Sequence, residues 1–353
     1  MKIAYFYITE QGKALATTIS QILTGDCYGK EQLDENLKMA MQRYDAIVCI
    51  MATGIVVRKI APYIQHKTKD PAIVVLDQKG NYCISLLSGH LGGANQLAQM
   101  LAQITKGQAV ITTATDVEGV LSFDVFAKEH DLLIENIGQL KYISSALLQG
   151  KSVHLYCDNE SIKEELKKQI GVFEPQQGKE KITCAVVISP RNLQVEEEHV
   201  LYLRPKVVTI GIGCKKDRGE EGIEEALQTL LQKMNLNETS LKQVSTIPRK
   251  AQEEAVQSLR KNHSLELIIQ SEESIKKLDL EALGIQRSTF VEKTVGISSV
   301  STACAYLSSK KGHILVDKEK FTGFTLSLAI ENGWETEGKR SILHACQREN
   351  SML

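Results

Sequence analysis

Short apolar runs alternate with amphipathic stretches from the first residues onward. Lys2–Ile8 reads as a strand and Gly12–Leu23 as a helix; Leu33–Arg43 reads as a helix and Ala46–Met51 as a buried strand. Ile73–Leu76 and Tyr82–Leu87 read as strands, with "DQKGN" at Asp77–Asn81 as the turn between them. Ala94, Leu97, Ala98, Leu101 and Thr105 fall at helical spacing, and Val110–Thr112 is apolar and β-branched again. This alternation predicts an α/β layer architecture on an open, mostly parallel sheet.

The rhythm continues in two further units. Asp131–Ile137, Ser152–Tyr156 and Ile182–Ile188 read as strands around a charged helix at Ser161–Gln169. Glu174–Lys181 reads as loop, and Arg191–His199 ("RNLQVEEEH") as a linker or exposed edge. At Val207–Ile212 a strand runs into a glycine turn. Ile223, Ala226, Leu227, Leu230, Leu231 and Met234 then mark one helix face. Strands are predicted at Leu265–Ile269, His313–Val316 and Phe324–Ala329, with helices at Ala251–Lys261, Glu273–Leu278 and Val300–Ser308. The predicted layout is an N-terminal α/β domain (1–128), a small middle α/β unit (129–205), a C-terminal α/β domain (206–331) and a polar tail (332–353).

A length of 353 residues with 42% hydrophobic and 24% charged positions suits a globular chain of several domains. The 42 basic and 43 acidic side chains balance, so no global field favours nucleic acid or an anionic membrane as partner. No run approaches a membrane span. Met1–Tyr7 reaches Glu10 and Gln11 too soon to read as a signal peptide. The eight cysteines are scattered without a C-x-x-C, which reads as reduced thiols and a cytoplasmic setting, with no metal site.

Chemistry concentrates where strands end. "SGHLGG" (Ser88–Gly93) lies between a strand and a helix, so its backbone can approach a ligand closely at a helix start. Its spacing is neither G-x-G-x-x-G, nor a Walker A loop, nor G-x-S-x-G, which removes the usual nucleotide and serine-hydrolase readings. "TTATD" places Thr112, Thr113, Thr115 and Asp116 at the next strand exit, and "MATGIVVRK" places Thr53, Gly54, Arg58 and Lys59 at an earlier one. Ligands of open α/β sheets bind off strand ends, so these residues, with Ser88, Gly89, His90, Gly92, Gly93 and Asn95, are expected to line one crevice. In the last unit Gly211, Gly213, Cys214, Lys250, Gly296 and Ser299 repeat the theme. Each motif alone is ordinary: glycine caps helices, and a lone loop histidine is usually a surface residue. Their coincidence is what suggests a ligand. On the residues alone, a non-catalytic binding protein and a sugar-phosphate enzyme remain alternatives.

At these motifs the chain resembles the cobalt-precorrin-5A hydrolase family. The match is densest from Met51 to Asp116, through "LLSGHLGGAN" and "VITTATD", and recurs in "GIGCKKD", "STIPRKAQE" and "VGISSVSTACA". One departure is that Ser301–Thr302–Ala303 stands where the family usually has a glutamate. The resemblance implies opening of a δ-lactone on a cobalt-bound, ring-contracted tetrapyrrole and release of acetaldehyde. Cobalt would arrive with the substrate, leaving no protein-bound cofactor, and other enzymes of the corrin pathway are candidate partners. In that reaction His90 is expected to act as general base, with Asp116 beside it, and the Gly92 and Gly93 amides to hold the oxyanion.

Overall fold

The computed structural model describes residues 1–66, 69–170, 182–286 and 299–334. They divide into two compact units, Met1–His130 with Leu147–Lys151, and Asp131–Ala146 with the chain from Ser152 onward.

The first unit is built on β1 (Ile3–Tyr7), α1 (Glu10–Ile22), β2 (Gly25–Tyr28), α2 (Leu33–Arg43), β3 (Ala46–Ile50), α3 (Thr53–Ile60), β4 (Ala72–Leu76), β5 (Tyr82–Leu87), α4 (Ala94–Thr105), β6 (Gln108–Val110), α5 (Ala114–Val117) and α6 (Phe123–Glu129). The strands form one sheet in the order β2-β1-β3-β4-β5-β6. Neighbours run parallel except β4 and β5, which are antiparallel. Strands β3 and β4 are buried at every position, as continuous apolar runs covered on both faces must be. One face packs Ala16 and Ile19 of α1 and Leu97, Ala98 and Leu101 of α4; the other packs Leu37 and Ala40 of α2 and Val56 of α3.

The antiparallel step corrects the expected single crevice. Ile50 aligns with Leu76 and Leu76 with Cys83, whereas Leu87 aligns with Ile73 near the start of β4. Strand β5 therefore carries Ser88–Gly93 back to the edge where β3 and β4 begin. Strand β6, parallel to β5, carries Thr112–Asp116 to that same edge. Thr53, Gly54, Arg58 and Lys59 follow β3 at the other edge, three or four residues of strand away, on the order of 10 Å. A short hairpin turn forces this reversal, since a two-strand return over five residues cannot make a parallel crossover.

The second unit holds two sheets. Its smaller sheet joins β7 (Leu132–Ile134), β8 (His154–Cys157), β9 (Cys184–Ile188) and β10 (His199–Pro205) in the order β7-β10-β9-β8, with helices α7 (Leu140–Leu148) and α8 (Glu160–Ile170) nearby in the chain. The stretch read as a linker, Arg191–His199, leads into β10, an interior strand. Arg191 is fixed on the way by bonds from its side chain to Asp158 of 2.6 and 2.9 Å. The larger sheet joins β11 (Val208–Cys214), β12 (Leu241–Thr246), β13 (Glu266–Ile269), β14 (His313–Phe321) and β15 (Phe324–Ile330) in the order β13-β12-β11-β15-β14. It carries α9 (Ile223–Lys233), α10 (Glu254–Asn262), α11 (Glu272–Lys276) and α12 (Ser301–Ser308). Strands β2, β10 and β12 and helices α3, α5, α6 and α7 are not anticipated from the apolar pattern. β2 reads "GDCY", too polar and short to register as a strand, and it sits at a sheet edge where polarity is tolerated.

Among the described residues no helix is long and apolar enough to cross a membrane, and no three His, Cys, Asp or Glu side chains are grouped to hold a metal ion. The seven described cysteines are free thiols.

Candidate active site

His90 sits in the glycine turn between β5 and α4, with its side chain only 15% exposed. Its Nε2 lies 2.6 Å from Asp116 Oδ2 and 3.3 Å from Thr115 Oγ1, both in the short helix that follows β6. Its Nδ1 lies 3.1 Å from Ser122 Oγ and 3.5 Å from Asp124 Oδ1, at the start of α6. Ser122 in turn donates a short hydrogen bond to Asp124, and the Val125 amide donates to the same oxygen at 2.9 Å. One imidazole is thus held at both nitrogens, by a carboxylate on one side and by a hydroxyl backed by a carboxylate on the other.

This clasp sets the charge. The His90 pKa is raised to about 9, first by its bond to Asp124 and then by Asp116, against the opposing pull of burial. Asp124 leads although it is the more distant partner because its carboxylate is less exposed, 13% against 34% for Asp116, so water screens it less. Burial by itself would push the Asp124 carboxyl up; the bonds from His90, Ser122 and Val125 overcome it and hold the carboxyl below its usual range. His90 is therefore an imidazolium at neutral pH. That changes its expected role: a group already protonated in the resting state donates a proton before it can accept one.

Asn95, in the first turn of α4 and 6% exposed, organises the rest. Its Oδ1 accepts from Ser85 Oγ at 2.6 Å, while its Nδ2 donates to Thr113 Oγ1 at 3.2 Å and to Asp116 Oδ2 at 2.9 Å. A Cβ at Gly89 would fall 2.7 Å from Asn95 Oδ1, so that glycine leaves room for the amide. A Cβ at Gly92 would fall 2.4 Å from Ser88 Cβ, and Ser88 itself has a left-handed φ of 57°. The turn is folded tightly on itself.

Of the two amides expected to hold the oxyanion, that of Gly93 is already taken. The Gly93 amide donates to the His90 carbonyl at 2.9 Å, and the Ala94 and Asn95 amides donate to the Ser88 and Gly89 carbonyls at 3.1 and 3.0 Å. The loop's own carbonyls satisfy the donors at the start of α4, a Gly-dependent closure with Gly93 at φ 86°. The Ser88 hydroxyl is likewise turned inward, donating to the Asp70 carbonyl at 3.0 Å. Thr112 is exposed beside the cluster.

The structure thus brings together Ser88, Gly89, His90, Gly92, Gly93, Asn95, Thr113, Thr115 and Asp116, and leaves Thr53, Gly54, Arg58 and Lys59 at the opposite sheet edge. Lys59 there is paired with Asp34 at 2.6 Å. Sequence reading missed Ser122 and Asp124. Their Ser-x-Asp spacing before an apolar helix looks like ordinary capping, and only its return to His90 distinguishes it. It also missed Lys128 on α6, whose ammonium is exposed and reaches the Leu91 carbonyl at 3.5 Å.

In the last unit, Gly211 and Gly213 are closely packed. A Cβ at Gly211 would fall 1.9 Å from the Ser301 carbonyl oxygen, so this glycine exists to let α12 lie on β11. A Cβ at Gly213 would press on Thr325 Oγ1 at 3.0 Å. Burial pushes the Cys214 thiol up to about 11, keeping it neutral. Lys250 is paired with Glu253 at 3.1 Å, Ser299 is buried, and Gly296 lies outside the described residues. Thr302 bonds Asp317 at 2.6 Å and Ser327 at 2.9 Å in a hydroxyl network.

Comparison with known proteins bears on the whole chain. Family models described as "Cobalamin synthesis G N-terminal", "Cobalamin biosynthesis central region" and "Cobalamin synthesis G C-terminus" match residues 35–116, 121–205 and 208–329. A Salmonella typhimurium protein named cobalt-precorrin-5A hydrolase is 31% identical over 346 residues, covering 93% of this chain and 97% of that protein. A Priestia megaterium protein of the same name is 28% identical, covering 92% and 93%. A solved cobalamin biosynthesis protein G homologue from Sulfolobus solfataricus aligns with a TM-score of 0.38 and 24% identity over 94% of this chain and 97% of its own. With relatives of that name matching more than nine-tenths of it, the chain belongs to the cobalt-precorrin-5A hydrolase family, a family of enzymes.

Proposed function

We propose that the protein hydrolyses the δ-lactone of a cobalt-bound, ring-contracted tetrapyrrole, cobalt-precorrin-5A, and releases acetaldehyde to give cobalt-precorrin-5B. The observation that carries this reading is the His90 imidazolium held between Asp116 and the Ser122–Asp124 pair, on a chain whose relatives bear that name.

Water adds to the lactone carbonyl carbon while Asp116 takes its proton. Both protein bonds to Asp116 fall on Oδ2, so Oδ1 is the oxygen for this task. The carbonyl π electrons move to oxygen, where the imidazolium and the Thr115 hydroxyl are the nearest donors. Once Asp116 is protonated its carboxyl no longer holds the imidazolium Nε2–H by charge; collapse then breaks the ring C–O bond, and the departing alkoxide takes that Nε2 proton. His90 is thereby left neutral, and it can now remove the proton of the freed hydroxyl. The adjacent C–C bond then breaks, acetaldehyde leaves, and the electron pair passes into the macrocycle. His90 serves as acid first and base second, an order its raised pKa favours. Lys128 offers a charge for a peripheral carboxylate beside the turn.

The test is direct. Purified protein is mixed with the lactone substrate, and acetaldehyde is followed through its reduction by an alcohol dehydrogenase. Release that disappears in His90→Ala supports the reading. Tight binding of the corrinoid with no acetaldehyde would mark a carrier instead.

A further inference from the structure

We propose that the N-terminal unit carries a second ligand site, at the opposite sheet edge from His90, built to take a carboxylate borne on an apolar ring, such as a pyrrole with its acid arm. The naming of a tetrapyrrole as the source rests on the function proposed above; the site itself does not.

The position follows from topology. Strand β1 has β2 on one side and β3 on the other, so α1 and α2 cover opposite faces, and a crevice opens between the carboxyl ends of β1 and β3. In open α/β sheets that switch point is where ligands sit. A cavity of about 460 Å³ occupies it, within the size range of small-molecule sites. Thr9 enters it from the end of β1, Met51 and Thr53 from the end of β3, and Ile84 and Val110 from the half-covered face of β5 and β6. Tyr82 stands at its wall, 52% exposed although strongly apolar.

The charge pattern selects the ligand. Helix α3 begins at Thr53 in the cavity wall, and its cap residue, Ala52, supplies no side-chain acceptor for the first amides. The Arg58 guanidinium folds back over that first turn, where a Cβ at Gly54 would lie 3.6 Å from it. Arg58 is exposed and has no acidic partner among the described residues, unlike Lys59 beside it. Asp77 also reaches the cavity, but its carboxylate is committed to the Lys79 and Tyr82 amides at 2.8 Å each. An apolar pocket walled by Thr53 at the start of α3, with the Arg58 guanidinium lying over that same first turn, suits one carboxylate on an apolar body. His90 and its partners take no part in it.

The experiment measures binding of uroporphyrin, a cobalt-free porphyrin with eight carboxylates and no lactone, to the full-length protein by fluorescence. Arg58→Gln is expected to weaken binding about tenfold, the effect of losing one charge-assisted contact. Ile84→Trp, which fills the cavity, is expected to abolish it, with far-UV circular dichroism and melting confirming the fold. The octamethyl ester, which lacks the charges, should not bind, and Lys38→Gln, an exposed lysine of α2 outside the cavity lining, should bind the probe as wild type does. Unchanged affinity in both Arg58→Gln and folded Ile84→Trp overturns the proposal, as does a loss in Lys38→Gln as large as that in Arg58→Gln. Acetaldehyde release in the wild type is a separate readout, so this site can stand if that reaction fails, and the reaction can stand if this site fails.

Discussion

Two glycine turns that look alike in the sequence have opposite uses. In the first unit "SGHLGG" ends β5 and folds around a protonated imidazole, and Gly89 is small so that Asn95 can reach Asp116. In the second unit "GIGC" ends β11, and Gly211 is small so that the backbone of α12 can lie against the sheet. One glycine makes room for a cluster of polar side chains, and the other for a helix packed on the sheet. A strand followed by glycines is evidence of close approach, not of what approaches.

The largest effect that could break this contrast is at His90. Replacement by alanine should lower the rate of acetaldehyde release by roughly 10²–10⁴ while leaving the fold intact; a normal rate would return SGHLGG to the structural class. Next come the glycines themselves. Gly211→Ala must displace a backbone carbonyl and should cost about 1–3 kcal/mol of stability or more, seen in denaturant unfolding. Gly89→Ala meets only the end of a side chain, so it should cut activity about tenfold with a smaller loss of stability. If the two variants behave alike, the contrast fails.

The pH dependence sharpens it further. Raised above the ordinary histidine value, the His90 pKa of about 9 means the clasp adds stability fully present below about pH 6.5 and lost as pH rises through 9. Activity that needs the imidazolium should fall on the same alkaline limb. Asp124→Asn removes the leading cause of the shift, so the limb should move to lower pH and the rate at pH 8 should fall about tenfold; an unmoved limb would show that Asp124 does not set the charge on His90. The smallest effect is expected at Cys214, whose neutral, half-covered thiol can become alanine with less than about a twofold change in rate.

Much of the secondary structure was legible locally. Tyr82–Leu87 and Leu33–Arg43 are found with the bounds that periodicity gave them, because each has one clearly apolar face. Strand β10 was hidden behind the acidic "VEEE" that precedes it, although Leu201 and Leu203, two residues apart, are both buried on one face. The pairing of His90 with Asp116 was within reach of the sequence, as two polar residues at successive strand ends. Asp124 was not, because nothing in "SFD" reveals that a helix start turns back on a loop 32 residues earlier.

The sequence by itself determined most of the strands and helices, which of their faces are apolar, and which strand ends carry glycine, hydroxyl, imidazole and charge. Those follow from short-range sterics and from the period of burial. Only the tertiary structure decided the direction in which β5 pairs with β4, and with it the separation of the His90 edge from the Thr53–Arg58 edge. It alone also decided that two carboxylates, and not one, would hold the imidazole charged. Strand direction and charge neighbourhood depend on contacts between residues far apart in the chain, where local propensity carries no information.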